Sequence, residues 1–178
     1  MSLLHPDRLF PPEPQTRALA RAIFDGIEDL PIFSPHGHCD PAGFAANAAF
    51  TDPAQLLVCP DHYVLRMLVS QGARLEDLGI APLDGGPAEQ DMRAVWRRFA
   101  DHYHLFAGTP TRLWMDYTFQ TLFGLDDPLT PDTADQQYDV IAACLETAPF
   151  RPRALFDRFG VEMLATTEAA HDPLDHHK

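Results

Sequence analysis

Two histidines separated by a single glycine, His36-Gly37-His38, are the sharpest chemical feature of this chain. In an extended segment, side chains two residues apart point to the same side, so both imidazoles could face one ion. Neutral imidazole is a good ligand for zinc and similar divalent cations. The plainer reading is two polar residues in a surface loop, and H-x-H by itself is a weak signal. The apolar run Pro31-Ile32-Phe33-Ser34-Pro35 before the pair and Asp40-Pro41 after it favour the metal reading. Two ligands do not complete a catalytic zinc site. A third is needed, and no second cluster is obviously placed to supply it.

Asp61-His62-Tyr63, followed by Val64-Leu65-Arg66-Met67-Leu68, is the next group. Asp61 is placed to cap a helix whose first turn holds His62 and Tyr63, where the helix dipole favours an anion such as a carboxylate. An imidazole and a phenol there could bind substrate or move protons. Periodicity alone favours an ordinary cap, with Tyr63 and Met67 as ordinary core. Arg66 could be a solvated side chain or a carboxylate partner. Further on, Thr166-Thr167-Glu168 could support a substrate from the end of a strand, although strand-end threonines often only cap the next helix. His171 and the run His176-His177-Lys178 resemble metal ligands in composition only and read as a solvated segment or the start of a helix. His102 and His104 read as surface or satisfied structural histidines.

These residues need elements to position them. Leu19, Ile23, Phe24 and Ile27 recur at helical spacing, predicting a helix over 16–28 with Thr16 as N-cap. Residues 31–35 read as a short strand running into the histidine pair. A long helical stretch follows. Asp52-Pro53 and Thr109-Pro110 look like N-cap and N1 pairs, and Gly72, Gly108 and Gly124 sit where glycines end helices. Met92, Val95, Trp96, Phe99, Tyr103 and Phe106 form one apolar stripe, predicting an amphipathic helix between 87 and 107. Another helix is expected over 131–147 with Tyr138, Ile141 and Leu145 inward, and a short one over 153–159, ended by Gly160. Residues 161–167 read as a second strand. The order is strand, large helical excursion, strand.

Acidic residues outnumber basic ones 26 to 13, giving a net charge of −13. Such a surface repels phosphate backbones and anionic lipid, so nucleic acid and membranes are not expected partners. A small anionic substrate would need local cations or a metal to offset the field. Cys39, Cys59 and Cys144 show no C-x-x-C pairing, which suits a reducing compartment. The first residues lack a basic n-region and an apolar h-region, and no apolar run approaches the ~18 residues of a membrane span. A cytoplasmic protein is expected. Dinucleotide, P-loop and serine-elbow motifs are missing, so nucleotide-dependent chemistry and serine hydrolysis are not supported.

The string from Leu30 to Pro41 closely resembles the opening strand of uronate isomerases, also called glucuronate isomerases. The stretches Asp52–Leu68, Gln71-Gly72, 75–79, 164–168 and 172–177 resemble the same family in collinear order. The resemblance implies an α/β fold: the N-terminal portion of a (β/α)8 TIM barrel of the amidohydrolase superfamily, with a large α-helical insertion after strand 1. At 178 residues the chain falls short of the ~250 of a complete barrel and is itself expected to be mostly helical. The implied division is 1–40, an N-terminal helix and the first barrel strand; 41–159, the insertion; and 160–178, the second strand and the start of the following loop or helix.

By the same resemblance, the activity is that of an aldose–ketose isomerase acting on a small-molecule hexuronate. It would interconvert D-glucuronate with D-fructuronate and D-galacturonate with D-tagaturonate, with a divalent metal, zinc, as cofactor. His36 and His38 match the metal-binding histidines, and His62 and Tyr63 the active-site pair near the substrate. Tyr63 is the candidate proton donor or shuttle, while His62 and Arg66 are candidate substrate contacts. Cys39 stands where relatives often have an apolar residue, and Glu168 where some have Asp. Family chains are more than twice as long, with the remaining metal ligand and substrate arginines expected beyond Lys178, so these 178 residues alone are expected to be inactive. The competing readings are another metal-dependent hydrolase of the superfamily and a non-catalytic helical fragment. Exposed strand edges would favour a homo-oligomer.

Overall fold

The computed structural model describes residues 4–177; residues 1–3, where the stretch read for a leader begins, and Lys178 lie outside them. In chain order the first elements are α1 (Pro14–Phe24), β1 (Ile32–Ser34), α2 (Pro41–Ala46), α3 (Pro53–Leu57) and α4 (His62–Ser70). Then come α5 (Met92–His102), α6 (Pro110–Tyr117), α7 (Ala134–Leu145), α8 (Pro152–Arg158) and β2 (Val161–Leu164). They form two compact units. One is the helical stretch Phe50–Glu146; the other joins His5–Ala49 to the chain from Thr147 onward and holds both strands.

In the helical unit, short polar side chains start the helices as expected. Asp52 accepts from the backbone N–H groups of Ala54 and Gln55, both at 2.9 Å, with Pro53 following it. Thr109 Oγ1 accepts from Arg112 N at 3.2 Å ahead of α6. Each such bond satisfies a donor that the first helical turn leaves without a partner. Gly72, Gly108 and Gly124 have φ of 92°, 77° and 69°, the left-handed conformation that a side chain disfavours.

The apolar stripe of α5 is the centre of this unit. Val95, Trp96 and Phe99 are fully buried, and the stripe continues into Tyr103 and Phe106. The helix expected between 87 and 107 divides, because Asp91 caps α5 and Tyr103–Phe106 form a tighter turn beyond it. The spacing still buries five of the six stripe residues, with Met92 half-buried. Trp96 Nε1 donates to Ala134 O at 2.9 Å, tying α5 to the start of α7. Tyr103 donates its hydroxyl to Asp116 at 2.8 Å, and burial, reinforced by the Asp116 charge, pushes its phenol well above its ordinary value. In α7, Ile141 and Leu145 are buried, while Tyr138 is only half-buried, beneath Arg93.

In the strand unit, β1 and β2 pair in parallel, with Ile32 opposite Val161, Phe33 opposite Met163 and Ser34 opposite Leu164. A parallel pair cannot be joined by a tight turn, so a crossover connection is a geometric requirement, which the intervening excursion more than meets. Both strands are shorter than expected. Pro31 and Pro35 flank β1 and carry no N–H for a ladder, and the pairing closes where Ala165 N donates to Ser34 O at 2.8 Å. The helix before β1 also differs from expectation. Glu13, not Thr16, is its N-cap, accepting from Gln15 N and Thr16 N with Pro14 at the first helical position, and α1 ends at Phe24. Its carboxylate reaches two donors at once, and Thr16 instead donates its hydroxyl to Glu13 at 2.7 Å. Elsewhere in the unit, Arg153 binds α2 to α8: its side chain donates to the carbonyls of Phe44 and Ala45, and its N–H to Asn47 Oδ1. Mixed α/β structure, helical for much of its length and with a small parallel sheet, is therefore the observed class.

Candidate functional site

The histidine pair lies just past the last ladder position of β1. His36 Nε2 and His38 Nε2 stand 3.0 Å apart, with the rings nearly perpendicular. Strand pleating, the expected cause of this convergence, does not reach them. The turn is clamped instead. Ser34 Oγ donates to His36 O at 3.1 Å, and Thr167 Oγ1, beyond the end of β2, donates to Gly37 O at 2.7 Å. Gly37 sits in close quarters: a Cβ there would stand 2.9 Å from Leu164 Cδ1 and 3.2 Å from Ala165 O, so a side chain would make its neighbours shift.

Two nitrogens bound tetrahedrally to one zinc ion at about 2.05 Å are separated by about 3.3 Å. The observed 3.0 Å needs an adjustment of only a few tenths of an ångström, and both rings are exposed to an incoming ion. The donor chemistry and spacing therefore fit a divalent cation, as half of a coordination sphere. Among the described residues, no group of three or more His, Cys, Asp or Glu side chains could hold a metal together.

Beside the end of β2, Thr166 Oγ1 donates to Glu168 Oε2 at 2.6 Å and lies 2.8 Å from His177 Nε2. Glu168 Oε1 is 3.6 Å from the same imidazole nitrogen. His177, read from composition as part of a solvated segment or the start of a helix, is exposed within a short helical turn, and it is also tied to the strand-end threonine and carboxylate. Pro173 and the left-handed Leu174, at φ 53°, turn the chain back before the short helical turn Asp175–His177. That proline was the sequence signal that could have marked the return.

His62, Tyr63 and Arg66 lie in the helical unit, a different unit from His36 and His38. Asp61 caps α4 as expected, accepting from Tyr63 N at 2.8 Å and from Val64 N at 3.3 Å. The His62 and Tyr63 rings stack at 4.1 Å, and the Arg66 guanidinium carbon is 5.9 Å from the Tyr63 ring centre. The core reading of Tyr63 does not hold. Val64 and Leu68 fill the core from this helix, while Tyr63 is 57% exposed. Imidazole, phenol and guanidinium therefore form one accessible group. His102, by contrast, is a satisfied structural histidine, its Nδ1 2.8 Å from Arg98 O.

A family model described as glucuronate isomerase matches residues 15–178. The uronate isomerase of Mesorhizobium japonicum is 60% identical over 178 residues, covering 100% of this chain and 38% of its own length. That of Rhizobium meliloti is 55% identical over 98% of this chain and 37% of its own. The crystal structure of glucuronate isomerase from Caulobacter crescentus is similar with a TM-score of 0.93 and 50% identity, over 98% of this chain and 36% of that one. A uronate isomerase structure from Thermotoga maritima, 24% identical with a TM-score of 0.84, shares the fold over 99% of this chain and 36% of its own. The chain thus spans little more than a third of the length of these relatives.

Proposed function

The chain belongs to the glucuronate isomerase family, and from that premise we propose that it serves uronate isomerisation, interconverting D-glucuronate with D-fructuronate and D-galacturonate with D-tagaturonate. The observation that carries this reading is 60% identity to a uronate isomerase along all 178 residues. The parallel pairing of β1 and β2 across a helical excursion supports reading them as strands of a (β/α)8 barrel, with the helices as an insertion between them. Cysteines that show no C-x-x-C pairing support a reducing, cytoplasmic setting.

His36 and His38 would hold a divalent cation, zinc by ligand type. When bound, it would fix the uronate carboxylate and an adjacent hydroxyl and counter their charge. The reaction removes a proton from C2 while O1 gains one, giving an enediol. C1 then takes up a proton as the O2 hydroxyl loses its own. Tyr63 is suited to this traffic, because its exposed phenol can both donate and accept a proton between neighbouring oxygens. His62, stacked on Tyr63, would hold substrate oxygens, and Arg66 would pair with the carboxylate of an anionic substrate. Since two histidines are fewer than the three protein ligands usual in a catalytic zinc site, these residues alone are not expected to turn over substrate.

The test is made on the protein purified from its native gene with zinc present, following ketose formation from D-glucuronate and D-galacturonate by proton NMR. Turnover is expected, together with a rate loss of about 100-fold or more in Tyr63→Phe if the phenol moves protons. A native protein that converts neither sugar would end the isomerase reading. Full turnover in Tyr63→Phe would remove only Tyr63 from the mechanism.

A further inference from the structure

The two tryptophans of this chain have opposite environments. Trp96 is fully buried and hydrogen-bonded, whereas Trp114 on α6 is 61% exposed. Its helix neighbours Thr111 and Met115 are buried, so α6 already has a core-facing side, and the indole is not part of it. An exposed aromatic by itself means little. Trp114, however, lines a cavity of about 370 Å³ whose other walls include Tyr63, Met67, Phe106 and Pro110. That size lies within the usual range for small-molecule sites. Tyr63 is thus shared between this cavity and the cluster with His62 and Arg66. Among the described residues Arg66 makes no ion pair, leaving a cation next to an aromatic-walled space on a strongly acidic protein.

We infer that Trp114 is a substrate-positioning residue, an indole platform on which the C–H face of the hexuronate rests while Arg66 takes its carboxylate. This inference rests on the isomerase reading and assigns that substrate an aromatic wall in the cavity that Tyr63 also lines. The chemistry matches on both sides. Carbon–hydrogen bonds flanked by hydroxyls carry partial positive charge, and the face of an indole is the negative part of its quadrupole. Sugar hydroxyls point outward from the ring edge, so the apolar cavity is asked to hold only the part of the substrate that lacks them. A stacked wall holds ground state and transition state alike, so its loss acts on KM more than on kcat.

The experiment uses the protein expressed from its native gene, as wild type, W114A and W114F, with the fold of each checked by circular dichroism. Acrylamide quenching is recorded with and without saturating D-glucuronate, and the wild-type signal minus that of W114F reports Trp114. The expected result is quenching of Trp114 reduced about two-fold or more by the sugar, and KM raised about ten-fold in W114A at nearly constant kcat, with W114F recovering most of the loss. Turnover by the wild type with no protection of Trp114 and an unchanged KM in W114A overturns the inference and leaves the isomerase reading standing. Protection of Trp114 without turnover supports the platform and overturns the reaction. Neither protection nor turnover overturns both.

Discussion

In Phe50–Glu146, Trp96, Phe99, Tyr103 and Phe119 are fully buried, with rings packed edge to face at 5–6 Å. In the strand unit, Leu19 and Ile23 of α1, Ile32 and Phe33 of β1 and Met163 of β2 are all half or more exposed or close to it, and among its described large apolar side chains Phe150 is the one that is buried. Both units obey the same local rules of capping and pairing. They differ in whether their apolar faces find a partner. The helical unit gathers its stripes around one aromatic centre, while the strand unit carries the histidine pair just past a two-stranded parallel sheet, a kind of sheet that is normally covered on both faces. Stability and candidate chemistry thus stand on different ground in one chain.

That contrast can be broken most sharply from the core. Phe99→Ala is expected to cost about 3–5 kcal/mol in urea unfolding, whereas Phe33→Ala in β1, being half exposed, is expected to cost less than about 1 kcal/mol. Equal losses would mean that the strand unit is as well packed as the helical one.

Next in size is the metal. Titration calorimetry with zinc should show binding that weakens about 100-fold or more in His36→Ala, while the cooperative melting of the helical unit stays unchanged. Wild-type affinity in His36→Ala would remove the histidine pair as a metal site.

Tyr103→Phe is expected to cost about 1–2 kcal/mol, since Asp116 loses one partner but keeps Arg112 at 2.8 Å. It also has a pH signature. Burial raises the Tyr103 phenol above its ordinary 10.0, so the folded state keeps the proton longer than the unfolded chain does. Its contribution is complete below pH 10.0 and is lost as pH rises from there toward the folded value. Tyr103→Phe should therefore flatten the alkaline limb of the stability profile. An unchanged limb would show that the buried phenol does not govern it.

The smallest effect sharpens the same comparison at the surface. Arg97 grips Asp135 through two bonds of 2.9 Å, but both side chains are solvated. Arg97→Ala should move the midpoint less than Tyr103→Phe does, and the difference should vanish in ~1 M salt. A salt-independent loss would show that Arg97 acts through packing.

Much of this architecture was legible residue by residue. Asp52-Pro53, Asp61, Thr109-Pro110 and the closing glycines marked the helix ends because capping involves neighbours within one turn. The stripe from Val95 to Phe106 marked the core because period is a local property. The start of α1 was misplaced because Thr16 is a preferred capping type and Glu is not, and only geometry shows that the Glu13 carboxylate meets the free N–H groups. Tyr63 was equally ambiguous: helical spacing next to Met67 suggested core, and the packing of α4 through Val64 and Leu68 turned it outward.

By itself, the sequence determined the residue types that can bind a cation or move a proton, the helix boundaries that short-range capping sets, and a family resemblance spread along the chain. Tertiary structure alone decided how those residues meet. It brought Thr167 from beyond β2 onto Gly37 between the two histidines, turned His177 back onto Thr166 and Glu168, and set Trp114 and Tyr63 in the lining of one cavity. The physical reason is range. Capping and periodicity act within a few residues, whereas these contacts join segments brought together only by the pairing and packing of whole elements.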